Sequence, residues 1–349
     1  MPRLAIASIA TAVPMGAQRY ETEMAARAQS ALTPYGDWCV RRVLVRSLRS
    51  PLPGDRRMPM SRVGAASVRE RRLAGRVLYP RADIVHRTAL ELPPARVDVV
   101  TLHDVVAWRF PDESAPVPAA AEELRRAAAV ICVSAFSAGQ AVELLGIEPP
   151  HVVHNGVDPR YLDAAPLAPS QLAALGITGP YVLTVGGASK RKNLEGLAAA
   201  WPAIHAARPD VTLALVGPEH PERTRLFAGL PGTRLLGRQP DEVVPGLYAS
   251  ASVVVVPSTY EGFGLPALEG MAAGAPVVAA DTSALPEVVG DGGFLVEPTP
   301  DGIVDGTLAA LAGGADVETV AARGRRRAAE FTWERSARGH AEVWASVAR

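Results

Sequence analysis

Cysteine is nearly absent: Cys39 and Cys132 are the only two in 349 residues. Far apart and in no C-x-x-C, they leave no disulfide framework and fit a reducing cytoplasm. Net charge is absent as well, because 36 Lys+Arg stand against 36 Asp+Glu, so no global field draws the chain to nucleic acid. No run reaches the roughly 18–20 apolar residues of a membrane span, which points to a soluble or peripheral protein. The chain contains no G-x-x-x-x-G-K-[ST], which excludes a P-loop, and no G-x-G-x-x-G after a strand, which weakens a nicotinamide or flavin reading. It also contains no D-x-D, the usual paired acidic ligand of a metal-bridged diphosphate.

The length is comfortable for two domains, and 48% hydrophobic with 21% charged residues is an ordinary globular composition. Short apolar runs alternate with helical patterns throughout, which predicts βα alternation and parallel sheets. Leu4 to Val13 after Arg3 has the outline of a short signal peptide, but one charge and the helical pattern that follows favour a first strand. Further strands are expected at Ile84 to His86, Val97 to Leu102, Val130 to Val133, His151 to Val153, Tyr181 to Val185, Leu213 to Val216, Thr233 to Leu236, Val253 to Val256, Val277 to Ala280 and Phe294 to Val296. Asp163 to Gly179, with little periodicity, reads as the connection between domains 1–162 and 163–330, and 331–349 as a terminal helix. Between Arg41 and Arg81 twelve arginines face only Asp55 and Glu70, with Pro51, Pro53, Gly54 and Pro59 marking part of the span as loop. Such an excess is either a solvated face or a site for an anionic partner, an acidic membrane surface or a phosphorylated acceptor.

Two stretches carry chemistry. Tyr260 to Gly274, YEGFGLPALEGMAAG, lies between the apolar runs Val253 to Val256 and Pro276 to Ala280. It reads as strand, loop, helix and strand, with Pro266 suited to the first helical position and the amides of Gly262, Phe263, Gly264 and Leu265 at a helix N-terminus that favours an anion. Glu261 and Glu269 flank it; taken singly, each could be a solvated glutamate. The second stretch is Gly186-Gly187-Ala188-Ser189-Lys190-Arg191-Lys192-Asn193-Leu194, where glycines allow close approach and three bases at a helix start suit a diphosphate. His103, in Thr101-Leu102-His103-Asp104, follows an expected strand, the place where parallel sheets put ligands.

E-x₇-E with GFGLP after the first Glu resembles the signature of retaining nucleotide-sugar glycosyltransferases of the GT-B fold, family four. T-L-H-D, V-S-x-F-S at Val133 to Ser137, N-G-V-D at Asn155 to Asp158, R-K-N-L, L-P-E at Leu285 to Glu287 and the glycine loop GAQRY at Gly16 to Tyr20 are similar to further motifs of that family. The resemblance implies α/β architecture, two doubly wound Rossmann-like domains facing a central cleft, with the terminal helix crossing back to the first domain. It implies that Glu261 and His103 lie by the reacting sugar, that Arg191 and Lys192 with Gly186 and Gly187 take the diphosphate, and that amides from Gly262 to Leu265 contact sugar and phosphate. Glu269 then holds the ribose, Arg238 with Tyr248 borders the base, and Gly16 and Arg19 face the acceptor.

The function expected is a retaining, metal-independent transfer of a sugar from a nucleotide-diphosphate donor, GDP-mannose before a UDP-sugar, to a glycan, lipid-linked or small-molecule acceptor. No cofactor and no nucleic-acid partner are expected, and the site is cytoplasmic, with or without peripheral attachment to the membrane. The alternatives are a glycoside hydrolase using both glutamates, disfavoured because such pairs face each other across a bond, and a catalytically inactive sugar-nucleotide binder.

Overall fold

The computed structural model of the chain describes residues 1–12, 16–110 and 113–348. It divides into two compact units, Met1–Gly156 together with the segment from Trp333 onward, and Val157–Thr332. The first holds β1 (Arg3–Ile9), β2 (Cys39–Ser47), β3 (Arg56–Met58), β4 (Ile84–Arg87), β5 (Asp98–Leu102), β6 (Ala129–Cys132) and β7 (His151–Val152), in the order β3-β2-β1-β4-β5-β6-β7. The second holds β8 (Tyr181–Val185), β9 (Thr212–Val216), β10 (Thr233–Gly237), β11 (Val253–Val256), β12 (Val277–Ala280) and β13 (Phe294–Val296), in the order β10-β9-β8-β11-β12-β13. All named pairings are parallel. Each sheet is doubly wound, with its topological switch between β1 and β4 or between β8 and β11, and ligands favour the carboxyl ends of strands at such a switch.

The central strands read as unbroken apolar runs because helices cover both faces. In the second unit Leu197, Trp201 and Ile204 of the helix Leu194–Ala207 and Ile303 of the helix Pro300–Leu311 pack with Val182, Leu213, Leu215, Val253 and Val255. Trp201 can be wholly buried because its indole N–H donates to the Pro231 carbonyl at 2.7 Å. In the first unit Leu4, Ile6, Ile84, Val99 and Ile131 are covered by Ala28 of the helix Gly16–Ala31, by Leu32 just after it, and by Ala341 and Trp344 of the helix Trp333–Val347. The terminal helix is thus part of the first unit's core, and truncating Trp344 to alanine would cost about 3–5 kcal/mol.

The structure departs from the sequence reading most between Asp37 and Arg81. What reads partly as loop is β2, β3 and the helices Met60–Ala65 and Val68–Leu78. β2 pairs with β1 along its length, burying Val43 and Val45. It tolerates its arginines because Arg41 donates to the Pro80 carbonyl at 2.8 Å and Arg46 to the carbonyls of Ser50 and Leu52. Arg71 is wholly buried, paired with Glu123 at 2.6 Å, and nine of the twelve arginines are exposed. The segment 163–179, expected as the connection, lies inside the second unit, which begins at Val157.

Candidate active site

β8 ends at Val185, and Gly186 follows at φ +151°, a conformation that side chains rarely adopt. Nothing lies within 4 Å of where a Cβ would stand on Gly186 or Gly187, so the loop borders open space. Lys190–Lys192 then form a single 3₁₀ turn instead of the helix start expected from sequence, and the α-helix begins at Leu194. Asn193 makes the break in the left-handed region, which asparagine tolerates. Its Nδ2 donates to the carbonyls of Pro257 at 3.0 Å and Pro298 at 2.9 Å, and its Oδ1 caps the helix by accepting from the Gly196 N–H at 3.2 Å. One residue therefore ties the basic turn to the loops that follow β11 and β13.

That tie sets Arg191 and Lys192 against Glu261. Lys192 Nζ is 2.6 Å from Glu261 Oε1, Arg191 Nη1 is 3.7 Å from Oε2, and Ser258 Oγ donates to Oε1 at 2.8 Å. Burial pushes the Glu261 carboxyl up, but the Lys192 ammonium and then the Arg191 guanidinium more than offset it, holding it below the usual carboxylate range. Two cations, Arg191 and Lys192, thus stand beside the Glu261 carboxylate. Lys192 and Ser258 also line, with Gly186 and Gly187, a small pocket at the carboxyl ends of β8 and β11.

The backbone beyond Glu261 turns toward the same chemistry. Gly264, at φ +103°, is the N-cap of the helix Leu265–Ala272, whose second residue, and not its first, is Pro266. Neither the Gly264 nor the Leu265 N–H meets an acceptor among the described residues. The Phe263 ring packs edge-on against Phe331 at 5.8 Å. Glu269 is half-buried, and its Oε2 accepts from the Tyr248 hydroxyl at 3.1 Å. Tyr248 is fully buried and supports Glu269, while Arg238, placed with it at the base by the sequence resemblance, is exposed just past β10. Glu287 offers its backbone carbonyl to Arg327 at 2.7 Å, a packing role.

In the first unit His103 directly follows β5, and the Tyr20 ring meets it edge-on at 4.8 Å. Tyr20 belongs to a buried relay that sequence did not reveal. His340 Nδ1 faces the Ser336 carbonyl at 2.8 Å, which can only accept. Burial pushes the His340 ring down to about 4, so it is neutral, and its Nε2 accepts from the Tyr20 hydroxyl at 2.8 Å. Thr101 Oγ1 then donates to Tyr20 at 2.7 Å and accepts from His86 Nε2 at 2.8 Å. Burial also lowers His86 and His103, the latter opposed by Asp104. Gly16, the first residue of the expected glycine loop, opens the helix Gly16–Ala31, and Arg19 is half-buried on it. Ser134 caps the helix Ala135–Leu145 by accepting from the Ser137 N–H at 3.0 Å.

Among the described residues no group of three or more His, Cys, Asp or Glu could hold a metal ion, and no helix is long and apolar enough to cross a membrane.

The glycosyl transferases group 1 pattern matches residues 179–312, and the Glycosyltransferase Family 4 pattern residues 14–161. O-antigen chain mannosyltransferase B of Escherichia coli is 32% identical over 294 residues, 75% of this chain and 76% of that protein. This chain belongs to the family 4 glycosyltransferases. The enzyme is also similar to a GDP-mannose-dependent phosphatidylinositol dimannoside mannosyltransferase of Mycobacterium tuberculosis, 35% identical over 164 residues, 44% of this chain and 40% of that one. Sucrose-phosphate synthase of Thermosynechococcus elongatus shares its fold, with a TM-score of 0.76, 21% identity and 99% coverage of both chains. So does HepE of Anabaena, solved with UDP and glucose, with a TM-score of 0.75, 21% identity and coverage of 99% of this chain and 100% of that one. The two doubly wound units are those of a GT-B glycosyltransferase. Membership in this family sets the glycoside-hydrolase reading aside.

Proposed function

We propose that this glycosyltransferase moves a hexose from a nucleotide-diphosphate donor, GDP-mannose before a UDP-sugar, to an acceptor hydroxyl with retention of configuration and without a metal. The observation that carries the proposal is the pair of cations Arg191 and Lys192 set at Glu261, with Lys192 on the small pocket lined by Gly186 and Gly187. A donor diphosphate brings negative charge to these cations. As the bond from the anomeric carbon to the leaving phosphate breaks, charge grows on that phosphate, and Arg191, Lys192 and the amides of Gly264 and Leu265 stabilise it. The leaving phosphate takes the acceptor's proton on the same face, which gives retention without a side-chain nucleophile. Glu261 positions the sugar and stabilises positive charge at the anomeric carbon, and Glu269 holds the ribose diol by charge-assisted hydrogen bonds. The preference for GDP-mannose is supported by R-K-N-L and by the mannosyltransferases among the relatives. The test is a thermal-shift panel of nucleotide sugars, in which GDP and GDP-mannose raise the melting temperature most. A panel in which no nucleoside diphosphate shifts it overturns the proposal.

For the acceptor side, one surface favours an anionic membrane or a lipid-linked phosphate. On the helix Val68–Leu78, Leu73 and Val77 are 52% and 80% exposed, flanked by the exposed Arg69, Arg72 and Arg76. An apolar pair one turn apart amid cations is the chemistry of an interfacial helix. Binding to vesicles should rise with acidic lipid and fall with salt. Equal partitioning to neutral and acidic vesicles leaves a soluble acceptor.

A further inference from the structure

Arg223 is a buried guanidinium with no opposite charge beside it among the described residues. It lies on the helix Pro221–Phe227 and is 4% exposed. Its Nη1 donates to the Pro218 carbonyl at 2.9 Å, its Nη2 donates to the Gly186 carbonyl, and its Nε is buried with no partner. Its sequence neighbour Glu222 is turned to Arg225 at 2.5 Å. Burial holds Arg223 below the ordinary arginine value, and no acidic neighbour opposes the shift. The surrounding backbone is shaped for it. Gly217, at φ +148°, would with a Cβ stand 2.0 Å from the Gly186 oxygen and 2.9 Å from both terminal nitrogens of Arg223. The end of β9 and the loop after β8 therefore close around the guanidinium.

An uncompensated buried cation is expensive, and two carbonyl acceptors could be served by an uncharged amide. Arg191 and Lys192 already have Glu261 as an acid partner, whereas among the described residues Arg223 has none. Yet Arg223 lines the same pocket as Gly186, Gly187, Lys192 and Ser258. We propose that Arg223 is a third diphosphate-binding cation of the donor site, set behind the glycine loop, where it holds the Gly186 carbonyl away from the phosphates and adds its own charge to their binding. The residue was unremarkable in sequence, where P-E-R-T-R reads as a helix surface.

The proposal rests on the donor-site reading above and can fail separately from it. The experiment is calorimetric titration of the full-length wild type, Arg223→Gln and Arg223→Lys with the nucleoside diphosphate and the nucleoside of the base that the thermal-shift panel selects. Arg223→Gln should weaken the diphosphate about 10- to 100-fold, the scale of one charged hydrogen bond, and leave the nucleoside unchanged. Arg223→Lys, which keeps the charge on a thinner side chain, should lose less of the diphosphate affinity and again none of the nucleoside affinity. If the glutamine variant does not fold, the lysine variant carries the test with the same contrast. Diphosphate affinity equal to wild type, or diphosphate and nucleoside weakened by the same factor, overturns the proposal and leaves Arg223 a structural strut. A wild type that binds no nucleoside diphosphate removes the donor-site reading itself, and this inference with it.

Discussion

Each unit contains a cluster of basic and acidic side chains, and the two clusters are built on opposite terms. In the first unit Arg71 and Arg87 meet Glu123 and Asp98, two charges against two, all buried. Every other guanidinium contact there goes to a carbonyl: Arg71 reaches those of Val63, Leu90, Glu91 and Leu92, and Arg87 that of Leu92 at 2.6 Å. In the second unit Arg191 and Lys192 stand against Glu261, while Arg223, on the same pocket, meets only carbonyls and its Nε is left without a partner among the described residues. The closed cluster is complete without a ligand and fastens strands to helices. The open one holds, in Arg223, a buried cation with no acidic partner among the described residues beside a glycine loop, which is the condition for binding an anion.

The largest effect should come from breaking the closed cluster. Glu123→Gln leaves Arg71 and Arg87 with Asp98 alone, and losing one partner of a buried pair costs about 3–5 kcal/mol, read by urea or thermal unfolding. Nucleotide affinity of the folded fraction should not change. The open cluster should respond the other way. Arg191→Ala and Lys192→Ala should each weaken transition-state stabilisation by roughly 2–4 kcal/mol, lowering kcat and kcat/KM together with little loss of melting temperature. Within the same site, Glu261→Gln should lower kcat and keep nucleotide affinity, while Glu269→Gln should weaken nucleotide binding. Wild-type kinetics in both cation variants would erase the contrast between the clusters.

A smaller effect follows from the neutral relay of the first unit. His340 titrates at about 4 when folded and near 6.5 when unfolded, so the unfolded chain takes the proton first as pH falls. The stability it contributes is complete above about pH 6.5 and is lost as pH falls through 4, about 3 kcal/mol for this group. The lowered His86 and His103 act in the same direction. Glu261, depressed by Lys192 and Arg191, adds a loss at lower pH, beneath the ordinary carboxylate range. Denaturant unfolding between pH 7 and 4 checks this; a flat profile would mean that the histidines titrate freely.

Legibility in the sequence followed the same division. The strands of the second unit stand out because Val253–Val256 and its neighbours are apolar on both faces, and the E-x₇-E and R-K-N-L stretches are local, so their residues meet through one loop each. β2 did not stand out because Arg41, Arg42 and Arg46 interrupt its apolar pattern, and only the fold shows carbonyls receiving two of them. Arg71 reads as one more surface charge because Glu123 is 52 residues away. Tyr20 and His340 are separated by 320 residues, and nothing in either neighbourhood marks a hydrogen bond between them. The usable signal for Arg223 was Gly217 just past β9, a position where both a φ of +148° and the close approach of the Gly186 carbonyl call for glycine.

The central claim is that the open cluster of the second unit is completed by a diphosphate. Its most direct test is a titration of the full-length protein with the nucleoside, the nucleoside monophosphate and the nucleoside diphosphate of the preferred base, at low and high salt. Affinity should climb with each phosphate, most steeply at the second, and the gain should shrink as salt screens the cations. Equal affinity for all three, or a diphosphate gain indifferent to salt, would contradict the account.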